Sequence, residues 1–232
     1  MNQITFQDVL QTTTVRGAFK LGERATTPDG REWVYVKANS LLALGSIAVP
    51  DAVTAVDACS SSQDNQSRNR FITKASAGWT VGQFEDAWGV VDDGTGAGQV
   101  FKIQTNSVDT LTLYPEYALS TALSVSDSDI TIRTMAEVDK AAITSKVQQA
   151  VGVAQVAFAA SEYGWLLTNG EGGILVGEVL TIGAGVTTGD DTTGQGQKAI
   201  TAEGPFDAQL IGISLVANAA ADQVALCRIL IR

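Results

Sequence analysis

The chain has 232 residues, and its 15 Lys and Arg against 25 Asp and Glu give a formal net charge of −10 and a pI of about 4.4. Hydrophobic residues make up 45% and charged residues 17%, which disfavours a disordered chain, and the absence of histidine excludes Ser-His-Asp triads, Cys-His pairs and His-ligated metal sites. No apolar run approaches the ~18 residues of a membrane span, and the N-terminus lacks a basic region followed by an apolar run, so we expect neither a membrane anchor nor a signal peptide.

Residues 1–45 predict an N-terminal arm that ends in a hairpin. The stretch 1–37 holds five basic and four acidic residues, so its charge is +1 and the rest of the chain carries −11. Pro28 presets φ and Gly30 accepts a positive φ, which predicts a tight turn that leads into a strand over Trp33–Val36. A nearly neutral arm on an acidic body indicates a segment that packs on another surface; a peripheral strand with solvated charges is the alternative.

Residues 46–135 predict a middle β domain. Two β-branched runs within Val90–Ile103 flank a glycine-rich loop, which is the pattern of a hairpin. Thr110–Tyr114 and Ile130–Arg133 alternate apolar and polar side chains, and this period of two is typical of half-buried strands.

Residues 136–232 predict a C-terminal β domain with an internal repeat. Val151–Glu162 resembles Ile211–Asp222 at a spacing of 211 − 151 = 60 residues, and each copy continues into a strand-like run. We interpret each copy as a strand, an alanine-rich turn and a returning strand, so that two similar hairpins pack in one small barrel or sandwich. Chance recurrence of Val and Ala is the alternative.

Three shorter segments of this last region carry predictions of their own. Ala136–Ile143 is polar and contains alanine, and is either a linker or a short helix. Asn169–Gly170 is a hairpin-turn signal, and Gly183–Gln197, rich in Gly and Thr, is expected to be an exposed loop. The predicted fold class is therefore all-β: an N-terminal arm and hairpin followed by two small β-sandwich or barrel-like domains, with little helix.

No pattern of residues indicates a cofactor or a metal. Asp92–Gly96 and Asp190–Gly194 lack the ligand spacing and the closing Glu of a calcium loop. The acid pairs Glu85–Asp86 and Asp127–Asp129 would serve a glycosidase only at a defined separation in space. Lys and Arg are too dispersed for nucleic-acid binding, and only Arg68–Arg70 approaches a cluster. We therefore expect no catalytic residue, no cofactor, no metal and no nucleic-acid partner.

The two cysteines lie in different contexts. Cys227 belongs to an apolar strand-like run, and Cys59 lies beside serines in a polar loop. Two widely separated cysteines in a chain of this length favour free thiols and a reducing compartment over a disulfide.

The four tryptophans either anchor β cores or form a carbohydrate-stacking platform. We prefer the core interpretation, because each indole buries a large area. The residues are Trp33, Trp79, Trp88 and Trp165.

Three groups of glycine turns and apolar strands follow one another along most of the chain. The first group is Leu21–Arg24 with Asp29–Ala38. The second is Asp93–Gln99 with Ile103, Asn106, Leu111–Leu113 and Ala122–Leu123. The third is Glu162–Trp165 with Gly170, Ile211–Ile213 and Arg228–Leu230. In this order the groups resemble the opening, the middle domain and the closing β domain of the capsid decoration, or head-auxiliary, proteins of tailed bacteriophages.

The resemblance implies a non-enzymatic virion protein that is made in the host cytoplasm and binds the outer surface of the capsid. Its partner there would be the major capsid protein, whose neighbouring subunits it would cement. The resemblance also implies self-association into dimers or trimers. The family offers no catalytic residues to carry over.

We expect the arm over Ile4–Lys37 to dock on the capsid. Its apolar anchors would be Phe6, Val9, Leu10, Phe19 and Leu21. Its basic residues Arg16, Lys20 and Arg24 would meet acidic capsid patches. Deletion of residues 2–20 is then expected to abolish capsid binding and to leave the β body folded.

Two alternatives belong to other functional classes. The first is a head fibre or adhesive module that binds host-surface glycans through Trp, Tyr and glycine-rich loops. The second is a glycosidase that works with carboxylates alone.

Overall fold

A computed structural model describes residues 2–50, 54–133, 137–140, 149–188, 194–199 and 209–231. It is nearly all β, with 47% strand and 3% helix, which confirms the predicted fold class. The chain divides into two compact units: unit 1 comprises Met1–Pro50 and Ala136–Arg232, and unit 2 comprises Asp51–Met135. Unit 2 thus corresponds closely to the expected middle domain, whereas the expected arm and the expected C-terminal domain share one unit.

The strands are numbered along the chain. The first stretch of unit 1 holds β1 (Asn2–Gln3), β2 (Arg24–Thr26), β3 (Glu32–Ala38) and β4 (Ile47–Pro50), with a short helix α1 (Phe6–Val9) after β1. Unit 2 holds β5 (Thr54–Val56), β6 (Ser60–Gln63), β7 (Asn69–Thr73), β8 (Trp88–Asp93), β9 (Val100–Asn106), β10 (Thr110–Leu113) and β11 (Asp129–Arg133), with a 3₁₀ turn over Pro115–Tyr117. The second stretch of unit 1 holds β12 (Glu137–Lys140), β13 (Gly152–Ala154), β14 (Tyr163–Val176), β15 (Gly185–Thr188), β16 (Gly196–Lys198), β17 (Leu210–Ser214) and β18 (Gln223–Leu230).

Strand β14 joins two closed rings of hydrogen-bonded strands in unit 1. The first ring runs β3–β12–β4–β13–β14 and returns to β3, and the second runs β14–β16–β15–β17–β18 and returns to β14. The first half of β14 pairs with β3, with Trp165 opposite Tyr35, and the second half pairs with β18, with Gly172 opposite Cys227. This 14-residue strand therefore pairs with four others, β3 and β13 in the first ring and β16 and β18 in the second.

The strands of the first ring are buried on both faces. On β3, Trp33 and Tyr35 belong to one apolar cluster, while Val34 and Val36 belong to another. Such double burial explains why β3 reads as a continuous apolar run rather than as an alternating one.

Unit 2 is a single curled sheet. Its strand order is β5–β11–β8–β9–β10–β7–β6, so β5 and β6 are the two edges. Only residues 57–59 connect these edges, a reach of about 14 Å, whereas a flat sheet of this many strands is about 29 Å wide. The sheet therefore curls around its core, which includes Phe101, Ile103, Leu111 and Ile130.

The predicted local elements of the first two regions are confirmed. Gly30 has a φ of +85° and donates its N–H to the carbonyl of Thr27, which closes the turn before β3. Strands β8 and β9 form the predicted hairpin, and β10 and β11 occupy the two alternating segments.

Both copies of the repeat form antiparallel hairpins, as predicted. Val153 lies opposite Leu167 in the β13–β14 hairpin, and Ile213 lies opposite Arg228 in the β17–β18 hairpin. The hairpins belong to different rings, and the pairing of β14 with β18 connects them.

Three predictions for the C-terminal region need correction. Glu137–Lys140 is a strand, because its backbone bonds to β3 and β4 on its two sides. Asn169–Gly170 is no hairpin turn: β14 passes straight through it with a register shift where the strand changes partner from β3 to β18. The expected loop Gly183–Gln197 contains β15 and the start of β16, and its residues 189–193 lie outside the described residues. Residues 141–148, which include the end of the expected linker or helix, also lie outside them.

Candidate docking face

The residues expected to dock divide into buried and exposed groups. Val9 is only 1% exposed, and Phe19 and Leu21 pack against the same core of unit 1. Phe6 and Leu10 are 42% and 58% exposed. Lys20 and Arg24 are exposed, and half-buried Arg16 donates from Nε to the carbonyl of Phe19 at 3.3 Å.

The cap of α1 decides which apolar side chains face outward. The Thr5 hydroxyl accepts from the N–H of Asp8 at 3.2 Å, and the Thr5 N–H donates to the Asp8 carboxylate at 2.8 Å. This capping box fixes the single helical turn so that Val9 enters the core while Phe6 remains on the surface. The hydrogen bonds from Thr5 also hold the pKa of Asp8 below its usual range.

The segment before β2 is an integral part of unit 1. The Phe19 ring lies 4.9 Å from that of Trp165 and 5.5 Å from that of Tyr35, and Thr13 pairs with Tyr163. Removal of residues 2–20 would also take Val9 out of the core. We therefore expect this deletion to destabilise unit 1, which makes point substitutions the appropriate test of docking.

Arg31 connects exposed Phe6 to a surface depression. Its guanidinium carbon lies 5.3 Å from the centre of the Phe6 ring and 5.4 Å from that of Trp33, and its Nε donates to Asp29 at 2.6 Å. Two rings and a carboxylate thus hold this side chain in place. The depression is open and has a volume of about 610 Å³; its lining includes Asp29, Arg31, Asn169, Glu171, Leu226 and Arg228.

An apolar strip continues from the depression over the sheet of the second ring. Val224 and Leu226 on β18 are each 43% exposed, and half-buried Leu175 lies opposite Val224. Arg228 lies between Glu171 and Ile213 in the pairing register, and Ile213 is 37% exposed. We name the docking face by five residues: Phe6, Arg31, Val224, Leu226 and Arg228.

The chemistry of this face is that of a contact surface. It combines an aromatic ring, two aliphatic side chains of β18 and two guanidinium groups; aromatic residues and arginine are enriched in protein interfaces. The Arg228 side chain forms no hydrogen bond or ion pair with any residue in the described part of the chain. It therefore presents a positive charge on a protein of net charge −10.

Sequence reasoning identified Phe6 but missed the rest of the face. A signal existed for β18, because Val224, Leu226 and Arg228 alternate with buried Ala225, Cys227 and Ile229. No local signal places Arg31 beside β14 and β18, since that contact depends on pairing between distant parts of the chain.

The acid pairs considered for catalysis make structural hydrogen bonds. Asp86 accepts from the Tyr114 hydroxyl at 2.6 Å, Asp127 accepts from the Thr95 hydroxyl at 2.9 Å, and Asp129 accepts from the N–H of Ala58 at 2.8 Å. Glu85 accepts from the Thr105 hydroxyl at 3.4 Å. Among the described residues no three Asp, Glu or Cys side chains are grouped to hold a metal ion. Of the segment Asp190–Gly194, considered above as a calcium loop, only Gly194 is described.

Both cysteines are buried free thiols. Cys227 lies within β18 as expected, but Cys59 belongs to the core of unit 2 rather than to a polar surface loop. Burial raises the pKa of each thiol to about 11. Neither thiol is suited to act as a nucleophile near neutral pH.

Three tryptophans anchor cores, in agreement with the preferred interpretation. Trp33, Trp79 and Trp165 are at most 9% exposed. Trp88 differs, because it is half-buried on the outer face of β8.

Neither helical segment in the described part of the chain is long and apolar enough to cross a membrane. No protein-family model, no curated protein and no solved structure matches the chain.

Proposed function

We propose that this protein is a non-enzymatic structural component of a tailed-phage virion that binds the outer surface of the capsid and cements adjacent major capsid protein subunits. The observation that carries the proposal is the docking face, where exposed apolar side chains and two arginines lie together on a rigid double-ring scaffold. A cement protein needs such a surface more than it needs reactive groups, because its task is to bury area.

The composition of the face suits a shell partner with apolar pockets and acidic rims. Phe6, Val224 and Leu226 supply apolar area, and Arg31 is held by its ring contacts in one orientation before binding. An interface of about 1,600 Å² with such anchors at its centre is sufficient for stable association. Simultaneous contact with several subunits, and self-association into dimers or trimers, would add avidity.

Co-sedimentation with expanded, undecorated phage capsids tests the proposal. We expect saturable binding and a rise in the temperature at which the shell is disrupted. The double variant Val224→Asp/Leu226→Asp places two carboxylates on the docking face and should weaken binding at least about tenfold.

The matched control is Val108→Asp, since Val108 is 49% exposed on unit 2 and Val224 and Leu226 are each 43% exposed. Circular dichroism verifies that all variants are folded. Failure of the wild-type protein to bind capsids would contradict the cement role and favour the adhesive alternative. Equal binding by the double variant and the control would exclude the docking face as the contact surface.

A further inference from the structure

One row of side chains crosses four adjacent strands on the outer face of unit 2. Arg133 on β11 lies opposite Trp88 on β8, and Trp88 lies opposite Lys102 on β9. The N–H of Tyr114, the residue after β10, donates to the carbonyl of Lys102 at 3.0 Å and continues the row. At a strand spacing of about 4.8 Å the row extends over roughly 14 Å.

Aromatic rings surround the central cation of this row. Lys102 Nζ lies 5.7 Å from the centre of the Trp88 ring and 5.3 Å from that of Tyr114. Tyr117 packs edge-on against Trp88 at 5.0 Å, and the Tyr114 hydroxyl is fixed by its bond to Asp86. The rings therefore form a pre-organised platform, with the ammonium group set between two of them.

Neither cation of this row is paired with a carboxylate or a hydrogen-bond acceptor. The side chains of Lys102 and Arg133 form no hydrogen bond or ion pair with any residue that the structure describes. The other three cations of unit 2 are occupied: Arg68 pairs with Asp64, Arg70 donates to the carbonyl of Leu113, and Lys74 donates to the carbonyl of Asp57. The free positive charge of unit 2 is therefore concentrated on the aromatic platform, although residues 54–133 carry five basic against ten acidic side chains.

We propose that this row is a binding site for an acidic saccharide chain, with Lys102 and Arg133 receiving its carboxylates and Trp88 and Tyr117 contacting its sugar rings. The Trp88 indole N–H also donates to no described residue, so the site offers donors to a ligand rich in oxygen acceptors. An acidic peptide is less well suited, because β8 and β9 lie inside the sheet and offer no free edge for backbone pairing. The site belongs to unit 2 and does not depend on the proposed capsid function.

Isothermal titration calorimetry with three defined ligands tests this assignment. The ligands are a tetrasaccharide of alternating glucuronic acid and N-acetylglucosamine, a neutral tetramer of N-acetylglucosamine, and a hexaglutamate peptide. We expect the acidic tetrasaccharide alone to bind, with an affinity that falls as salt is raised, since part of the attraction is between exposed charges.

Lys102→Met keeps the aliphatic stem but removes the charge, and should raise the Kd at least about tenfold. Lys198→Met, at an exposed lysine of unit 1, is the matched control and should leave the Kd unchanged. Trp88→Phe should weaken binding and reduce quenching of tryptophan fluorescence by the ligand. Absence of binding by the acidic tetrasaccharide, equal binding of hexaglutamate, or an unchanged Kd in Lys102→Met would each overturn the proposal.

Discussion

Phe19 packs edge-on against Trp165, with 4.9 Å between the ring centres, and so connects the N-terminal segment to the shared strand β14. We expect Phe19→Ala to lower the free energy of unfolding by about 2–4 kcal/mol, because it removes this contact and leaves a cavity beside Tyr35. Phe6→Ala is the control, since Phe6 is 42% exposed, and should cost less than about 1 kcal/mol. Denaturant titration followed by circular dichroism measures the free energy of unfolding of both variants. Equal losses of stability would contradict the packing of the N-terminal segment into the core of unit 1.

Two glycines of the β8–β9 loop provide a matched test of backbone crowding. Gly94 and Gly98 have φ values of +72° and +86°. A Cβ on Gly94 would lie 1.7 Å from the carbonyl oxygen of Asp127, whereas a Cβ on Gly98 meets nothing within 4 Å. Gly98→Ala should cost only the left-handed penalty of about 1–2 kcal/mol, and Gly94→Ala clearly more. Thermal unfolding measures the Tm of both variants. A similar fall in Tm for both would contradict the crowding at Gly94.

The ion pair between Lys37 and Glu137 connects β3 to β12. Lys37 Nζ lies 2.9 Å from the carboxylate, and Glu137 is 6% exposed. Lys37→Met should destabilise unit 1 by about 2–4 kcal/mol, because it leaves a buried carboxylate without its cation. The double variant Lys37→Met/Glu137→Gln should recover part of this loss. A double-mutant cycle in urea measures the coupling, and strictly additive losses would show that the pair contributes nothing.

The buried thiols predict a loss of stability in alkaline solution. Burial raises the pKa of Cys59 and Cys227 from 9.0 to about 11, so between these values the unfolded chain is ionised while the native chain keeps its protons. The unfolded state then binds fewer protons, and the free energy of unfolding falls as pH rises from about 9 to about 11. The fall should be less steep in the Cys59→Ala/Cys227→Ala variant; equal slopes would refute the thiol contribution.

The same burial predicts slow thiol chemistry in the native state. At pH 8, an aromatic disulfide reagent should label Cys59 and Cys227 only at the rate of unfolding, because each thiol is both protonated and covered. Guanidinium chloride should expose both thiols to immediate reaction. Rapid labelling of the folded protein would contradict the buried positions.

Sequence patterns predicted the fold correctly where the local structure depends on residues that are neighbours along the chain. The turn at Pro28–Gly30 and the β8–β9 hairpin follow from local backbone preferences. Asn169–Gly170 carries an equally strong local signal, but the pairing of β14 with β3 and then with β18 keeps the strand straight. Tertiary pairing overrides turn propensity there.

The residues of the docking face were harder to predict from sequence, because tertiary contacts bring them together. Phe6 and Val9 are both apolar and three residues apart, and only the contact of α1 with the core distinguishes the exposed side chain from the buried one. Arg31 reaches the face through strands that are more than a hundred residues distant in sequence. Composition indicated a nearly neutral arm on an acidic body, but it did not reveal which cations lack partners.

The position of β14 in the chain has a consequence during protein synthesis. Strand β3 ends at Ala38, and its partner begins at Tyr163, so 163 − 38 = 125 further residues must be translated before the two can pair. At about 5–20 residues per second this delay is of the order of ten seconds. Unit 2 is contiguous in sequence and is translated completely within that interval. During this time the apolar run Trp33–Val36 of β3 lacks its partner strand β14. The nascent chain therefore exposes the apolar residues of β3 throughout the synthesis of unit 2, so the rate of translation sets how long this strand is open to aggregation.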